Sequence, residues 1–294
     1  MKVLVTGVKG QLGYDVVKTL EKRGHIAVGV DVEEMDITDE NSVLKVMEEV
    51  EPDAVVHCAA WTAVDIAEDK ENQDKVFAVN VKGTEYIAQA CKKQNCKMLY
   101  LSTDYVFDGQ GEKPWETTDR RSPLNVYGQT KCDGELAIEN ILEKYFIVRI
   151  SWVFGVNGKN FIKTMLNLGQ TRDTLTVVND QVGSPTYTYD LSRLLVDMIE
   201  TEKYGIYHAT NEGICSWFEF ASEIFRQASA FNPRYANVKV LPVNSNAFPV
   251  KAKRPFNSRM SKAKLDENGF ERLPAWQDAL QRYLQEIKDS YGTN

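Results

Sequence analysis

Short apolar runs alternate with amphipathic stretches through the first half of the chain. The runs at 2–6, 26–30, 54–58, 97–102 and 146–150 are brief and largely apolar, which predicts buried strands. Between them, apolar residues recur at helical spacing over 12–23, 40–49, 72–93 and 125–143, predicting helices that each bury one face. Asp39 stands where it can cap the helix that follows, and Glu51-Pro52-Asp53 is a sharp stop before the third strand. Such alternation calls for a parallel sheet with helices on both faces. Beyond about residue 150 the pattern loosens: helices are predicted at 188–200, 216–228 and 274–288, strands at 206–209 and 238–242, and a loop over 177–185. The chain thus reads as α/β, with a sheet domain over 1–150 and a smaller C-terminal α/β lobe over 151–287, some of whose segments return to the first core. The crevice between two such lobes is the natural place for a substrate.

Composition narrows the classes. The 294 residues are enough for one large or two small cores. A net charge of −7 gives no general attraction to nucleic acid. No run approaches the length of a membrane span, and the N-terminus is itself a core strand, so neither a membrane segment nor a leader is expected. Cysteines 58, 91, 96, 132 and 215 form no CxxC pair, and their odd count fits a reducing cytoplasm. The three histidines lack metal-ligand spacing, so no metal site is assigned, and His57 and His208 read as structural.

Two signals carry chemistry. The first strand opens into glycines at 7, 10 and 13, followed at once by a helical pattern. Gly7 permits a tight turn, Gly10 lets backbone approach a pyrophosphate, and Gly13 lets the helix pack close to the sheet. A dinucleotide phosphate would meet the free N–H groups of that helix's first turn. Asp31 ends the second strand, where a carboxylate accepts hydrogen bonds from the adenosine ribose and repels a 2′-phosphate. With no Lys or Arg over 32–44 to offset it, NADH is favoured and NADPH is the second candidate. The other signal is Tyr127 and Lys131, one helical turn apart on one face. A phenol pKa is ordinarily about 10, and a neighbouring ammonium pulls it down into the range of a proton donor. Ser102 and Thr103, at the C-terminal end of the fourth strand, offer hydroxyls on the ligand-binding side of such a sheet.

With these residues in place, the chain resembles the extended short-chain dehydrogenase/reductases, and more closely the dTDP-4-dehydrorhamnose reductases. The likeness runs to about residue 287 through VTGVKGQLG (5–13), MDITD (35–39), HCAAWTAVDIAE (57–68), VNVKGT (79–84), LSTDYVFDG (101–109), PLNVYGQTK (123–131), RISWVFG (149–155), NDQVGSPTYTYDL (179–191) and RPFNS (254–258). The first and sixth mark only the superfamily, whereas STDYVFDG, the Trp152 segment and DQVGSPT together are far more specific. The resemblance implies a Rossmann-type fold and the reduction of the C4 keto group of a dTDP-sugar by a nicotinamide cofactor. It implies Thr103 as active-site hydroxyl, Tyr127 as proton donor, and Lys131 as ribose ligand and pKa-lowering charge. Gly10, Gln11 and Leu12 would hold the pyrophosphate, Asp36 and Ile37 would lie beside the adenine, and Ala59, Ala60 and Trp61 would line the cofactor. At Trp61 the family more often carries tyrosine or histidine. Thr103, Asp104 and Trp152 would contact the sugar nucleotide, while the Gln181 loop and Arg254 would close over it. Arg254 is also readable as a solvated member of the basic run KAKR, and Trp152 as core packing. Some enzymes of this family form magnesium-linked dimers. Asp15 alone specifies no metal, so monomer and homodimer both stay open.

Two alternatives stand beside this reading. One is another nucleotide-sugar enzyme of the superfamily, an epimerase, a dehydratase or a different 4-ketoreductase: an epimerase would retain NAD tightly, and a dehydratase would need a glutamate after Asp104, where Tyr105 stands. A non-catalytic scaffold is the other, against which the intact Thr103, Tyr127 and Lys131 argue.

Overall fold

The structure, a computed structural model, describes residues 1–292. Strands β1 (Lys2–Thr6), β2 (Ile26–Val30), β3 (Ala54–His57), β4 (Lys97–Thr103), β5 (Tyr145–Ile150) and β6 (Gly205–His208) form one parallel sheet in the order β6-β5-β4-β3-β1-β2. The helices are α1 (Gln11–Lys22), α2 (Glu40–Val50), α3 (Val64–Ala67), α4 (Lys70–Phe77), α5 (Gly83–Gln94), α6 (Val126–Ile141), α7 (Phe161–Thr171), α8 (Thr188–Ile199), α9 (Trp217–Ala228), α10 (Ala263–Glu267) and α11 (Trp276–Ile287). Two apolar layers enclose the sheet. On one face Val3, Val5, Leu99, Phe146 and Val148 pack with residues of α1 and α8; on the other Leu4, Val55, Met98, Tyr100 and Ile147 pack with residues of α2, α5 and α6.

The strand order reverses around β1, where β2 lies to one side and β3 to the other, so the crevice above their C-terminal ends is the expected ligand position. The sheet and its flanking helices follow the sequence pattern to within two residues at most ends. Asp39 caps α2, its carboxylate accepting from the Asn41 N–H at 2.9 Å.

Three differences have local causes. The single helix expected over 72–93 is α4 and α5 joined through a π-helical turn at Ala78–Lys82, which buries Asn80 completely. Helix α7, which the sequence reading omitted, has a plain signature in retrospect: Asn160 caps it, and Ile162, Met165, Leu166 and Gly169 form its buried stripe. The loop expected over 177–185 begins inside the strand Thr174–Val178, which pairs in parallel with Lys239–Val243 as the C-terminal lobe's own sheet.

Chain from beyond residue 150 also closes the first core. Strand β6 adds to β5, and α8 packs on α1, with Thr19 bonded to Ser192 at 2.7 Å. The lobe's own core gathers Phe154, Ile162, Leu166, Phe220, Ile224, Leu280 and Tyr283 from α7, α9, α11 and the segment after β5. No helix among the described residues is long and apolar enough to cross a membrane.

Candidate active site

A cleft of about 910 Å³ opens over the C-terminal ends of the main strands. Thr6 of β1, Val30 of β2, Ser102 and Thr103 of β4 and Ile150 of β5 all line it, together with Cys58 just past β3. The glycine turn forms its floor. Gly7 has φ +69° and lies so close to Ala59 that a Cβ would meet its backbone at 2.8 Å, while a Cβ on Gly13 would stand 2.4 Å from the Gly7 carbonyl oxygen. Both positions therefore exclude a side chain. Gly10 precedes α1 and provides no side-chain cap, so first-turn N–H groups are left to face the cleft. Gln11 braces the turn against the C-terminal lobe, its Oε1 accepting from the Gly155 N–H at 2.9 Å and Asn160 Nδ2 at 3.0 Å.

Around the cleft the structure gathers Gly7, Gly10, Gln11, Leu12, Gly13, Asp31, Asp36, Ile37, Ala59, Ala60, Trp61, Thr103, Asp104, Tyr127, Lys131 and Trp152. It does not bring Gln181 or Arg254 into the lining. Gln181 is buried beside a bridge between Val182 and Asn257. Arg254 is paired with Asp65, Nη2 to Oδ2 at 2.6 Å, so it is no free solvated cation. One cation escaped the sequence argument about cofactor choice. Lys9 comes from the glycine turn, its backbone N–H bonded to Asp31 Oδ2 at 3.0 Å and its Nζ paired with Glu33 at 2.6 Å.

The chemical groups lie on β4 and α6. Thr103 Oγ1 donates to Asp104 Oδ1 at 3.0 Å and accepts from the Tyr105 N–H at 3.2 Å. Burial raises the Asp104 carboxyl to about 6 against the hydrogen bonds from Ser258 and Thr103. Ser258 thus ties the 254–258 segment to the end of β4, a link no local signal announces.

Asn125 caps α6, which carries Tyr127 and Lys131. The expected depression of the phenol is not what the structure holds. Burial pushes the Tyr127 phenol up, the Asp104 charge adds to this, and only the Thr103 hydroxyl pulls the other way. Lys131 is instead the perturbed partner: burial lowers its ammonium to about 7, with the Glu135 carboxylate pulling the other way. Its Nζ sits 4.0 Å from the centroid of the Tyr100 ring.

Asn80 is the positioning residue that sequence reasoning passed over. From the π-helical turn it accepts the Trp61 N–H at 2.8 Å and donates to the Trp61 carbonyl at 3.2 Å and to Thr130 Oγ1 at 3.0 Å. One side chain therefore fixes the Ala59–Trp61 wall to the residue beside Lys131. Trp152 has φ +50°, rare for so large a side chain, and its indole stacks on Trp217 at 3.7 Å. Backbone held in this region concentrates at ligand-contacting positions. His57 and His208 both have hydrogen-bond partners on each ring nitrogen: Thr6 and Thr84 for the first, Arg149 and the Ser261 carbonyl for the second.

A family model described as the RmlD substrate binding domain matches residues 1–289. The dTDP-4-dehydrorhamnose reductase of Aggregatibacter actinomycetemcomitans is 39% identical over 286 residues, covering 95% of this chain and 97% of that protein. Among solved structures, the dTDP-4-dehydrorhamnose reductase of Clostridium acetobutylicum superposes with a TM-score of 0.93 at 40% identity, covering 98% of this chain and 100% of that one. That of Bacillus anthracis, in complex with NADP, gives 0.90 at 40% identity, covering 97% and 99%.

Proposed function

This chain belongs to the dTDP-4-dehydrorhamnose reductase family, and from that membership we propose that it reduces the C4 keto group of dTDP-4-dehydro-β-L-rhamnose to give dTDP-L-rhamnose. The observation that carries the proposal is the convergence of Thr103, Tyr127 and Lys131 with the glycine turn on one cleft. The residues fit a dinucleotide, since the turn excludes side chains at Gly7 and Gly13 and leaves uncapped N–H groups at the start of α1. Gly7, Gly10, Gln11, Leu12 and Gly13 would hold its pyrophosphate, Asp31 its adenosine ribose, Asp36 and Ile37 its adenine, and Ala59, Ala60, Trp61, Tyr127 and Lys131 its nicotinamide end. When bound, NAD(P)H supplies the hydride.

The chain's own residues handle the charge that develops on the C4 oxygen. Tyr127 is fully protonated at neutral pH because burial raises its phenol, and the forming alkoxide is a strong enough base to take that proton. Thr103 hydrogen-bonds the same oxygen, and the Lys131 charge stabilises the phenolate left behind. Asp104 and Trp152 form the sugar-nucleotide wall, and Arg254, released from Asp65, pairs with the diphosphate while the Gln181 loop closes beside it.

The test is nicotinamide oxidation by freshly made dTDP-4-dehydro-β-L-rhamnose, with the product identified. Folded protein inactive with both cofactors would remove the proposal, and tightly co-purifying NAD would favour an epimerase instead.

We infer a preference for NADH, because Asp31, Glu33 and Glu34 set three carboxylates around the Lys9 cation beside the adenosine ribose position. A charge-assisted hydrogen bond contributes about 1.5–3 kcal/mol. Asp31→Ala is therefore expected to lower kcat/KM for NADH by about 10- to 100-fold and to raise it for NADPH. Kinetics with both cofactors check this, and an unchanged ratio would assign the choice elsewhere.

A further inference from the structure

We propose that the face of the Tyr100 ring is the partner that holds the buried Lys131 ammonium in its charged form and in position, so that Tyr100 is a positioning residue for the reduction; this rests on the role given to Lys131 above. Lys131 is only 3% exposed and lines the cleft, and its Nζ is held by no hydrogen bond or ion pair from the described residues. A bare ammonium in such surroundings ordinarily gives up its proton. The Tyr100 ring lies 4.0 Å from it, at the distance of a cation–π contact.

Of the other titratable groups around Lys131, only Glu135 sets a negative charge that favours the ammonium, and its carboxylate is bonded elsewhere. At the end of β3 and just past it, burial holds the His57 imidazole down near 3 and pushes the Cys58 thiol up to about 12, so both are uncharged at neutral pH. On α6, the Tyr127 phenol is raised and therefore neutral. Glu135, one turn beyond Lys131, has both carboxylate oxygens occupied by Arg149, Arg121 and Ser102. Asp104 of the segment after β4, which acts on Tyr127, is bonded to Thr103 and Ser258.

Tyr100 is built as a fixed plate. It is 0% exposed, His57 lies stacked beside it with centroids 5.7 Å apart and planes 28° from parallel, and its hydroxyl fits only because Gly134 has no side chain. That hydroxyl lies beside Thr84 and makes no hydrogen bond to Lys131, so it is the ring face that meets the ammonium.

The ring and the hydroxyl can be separated by experiment. The Lys131 midpoint is read in cofactor-free protein by NMR of Cε-labelled lysine, for Tyr100→Phe and for mono-, di- and trifluorinated phenylalanine at position 100. Fluorination drains the ring's negative face with little change in shape. Tyr100→Phe is expected to leave the midpoint unchanged. The fluorinated series should lower it stepwise, by about half to one pH unit in all, with the basic limb of kcat/KM moving alongside. A purely structural role would give no graded shift. A midpoint indifferent to fluorination, or displaced equally by Tyr100→Phe, would overturn the proposal. If the midpoint responds as expected but no keto-sugar is reduced, the contact stands and the proposed function falls.

Discussion

Tyr127→Phe is expected to lower kcat for keto-sugar reduction by about 10²- to 10⁴-fold, the usual contribution of a positioned proton donor, with little change in KM. The substitution removes one oxygen and keeps the ring, whose edge-on contact with Tyr105 (centroids 5.5 Å apart, planes at 79°) should preserve the local packing. The loss therefore falls on the transition state and not on binding. The pH profile gives a second readout. With the phenol raised well above neutrality, Tyr127 stays protonated across the working range, and the group that titrates near pH 7 is Lys131. Activity should accordingly decline above about pH 7 as the ammonium deprotonates, and Lys131→Met should abolish that limb along with most of the rate. Steady-state kinetics from pH 6 to 9 and thermal unfolding of each variant are the measurements. A Tyr127→Phe enzyme within tenfold of wild type would show that the proton comes from elsewhere.

Much of this architecture was legible in the chain because its evidence is local. A β-branched run, a glycine triplet, a capping aspartate and a Tyr–Lys pair one turn apart each express their physics within a dozen residues. The hydrogen-bonding roles of Asn80 and Ser258 were not legible, since each depends on a partner 19 or more residues away. Lys9 is instructive in the same way. The stretch 32–44 after Asp31 holds no cation, whereas Lys9 stands on the neighbouring strand-to-helix turn, 22 positions earlier. The direction of the Tyr127 shift was misjudged for a related reason. Helical spacing places Lys131 on the right face, but the burial that dominates both groups is a property of the assembled core. Helix α7 is different: its Asn160 cap and apolar stripe are local features of the sequence.

Glu135→Ala is expected to destabilise the protein by about 3–5 kcal/mol, as removal of one partner from a buried ion pair does. Glu135 is fully buried on α6, and Arg149 of β5 is 1% exposed. Arg149 Nε and Nη2 bond its two oxygens at 2.9 and 2.7 Å, Arg121 Nε adds a third bond at 2.6 Å, and Ser102 donates from β4. Alanine would leave one guanidinium buried without its anion and another half-buried. The double replacement Glu135→Leu, Arg149→Met should recover most of the lost stability, since an apolar pair of similar volume avoids the orphaned charge. Urea unfolding of the variants measures both, and a single mutant as stable as wild type would remove the network from the account. Acid response supplies a further sign. Burial alone would raise the Glu135 carboxyl, but its arginine partners overbalance this and hold it below the usual range. Its stabilisation is therefore present above the unfolded glutamate value and lost as pH falls through the native one. His57 and His208, held near 3 in the native state against 6.5 unfolded, act earlier on the same descent. Protons bind the unfolded chain first, so stability should already decline below about pH 6.5. The same network joins β5 and β4 to the helix that carries Tyr127 and Lys131. Even where Glu135→Ala remains folded, kcat should therefore fall, because Ser102 adjoins Thr103 and α6 would no longer be anchored beside it.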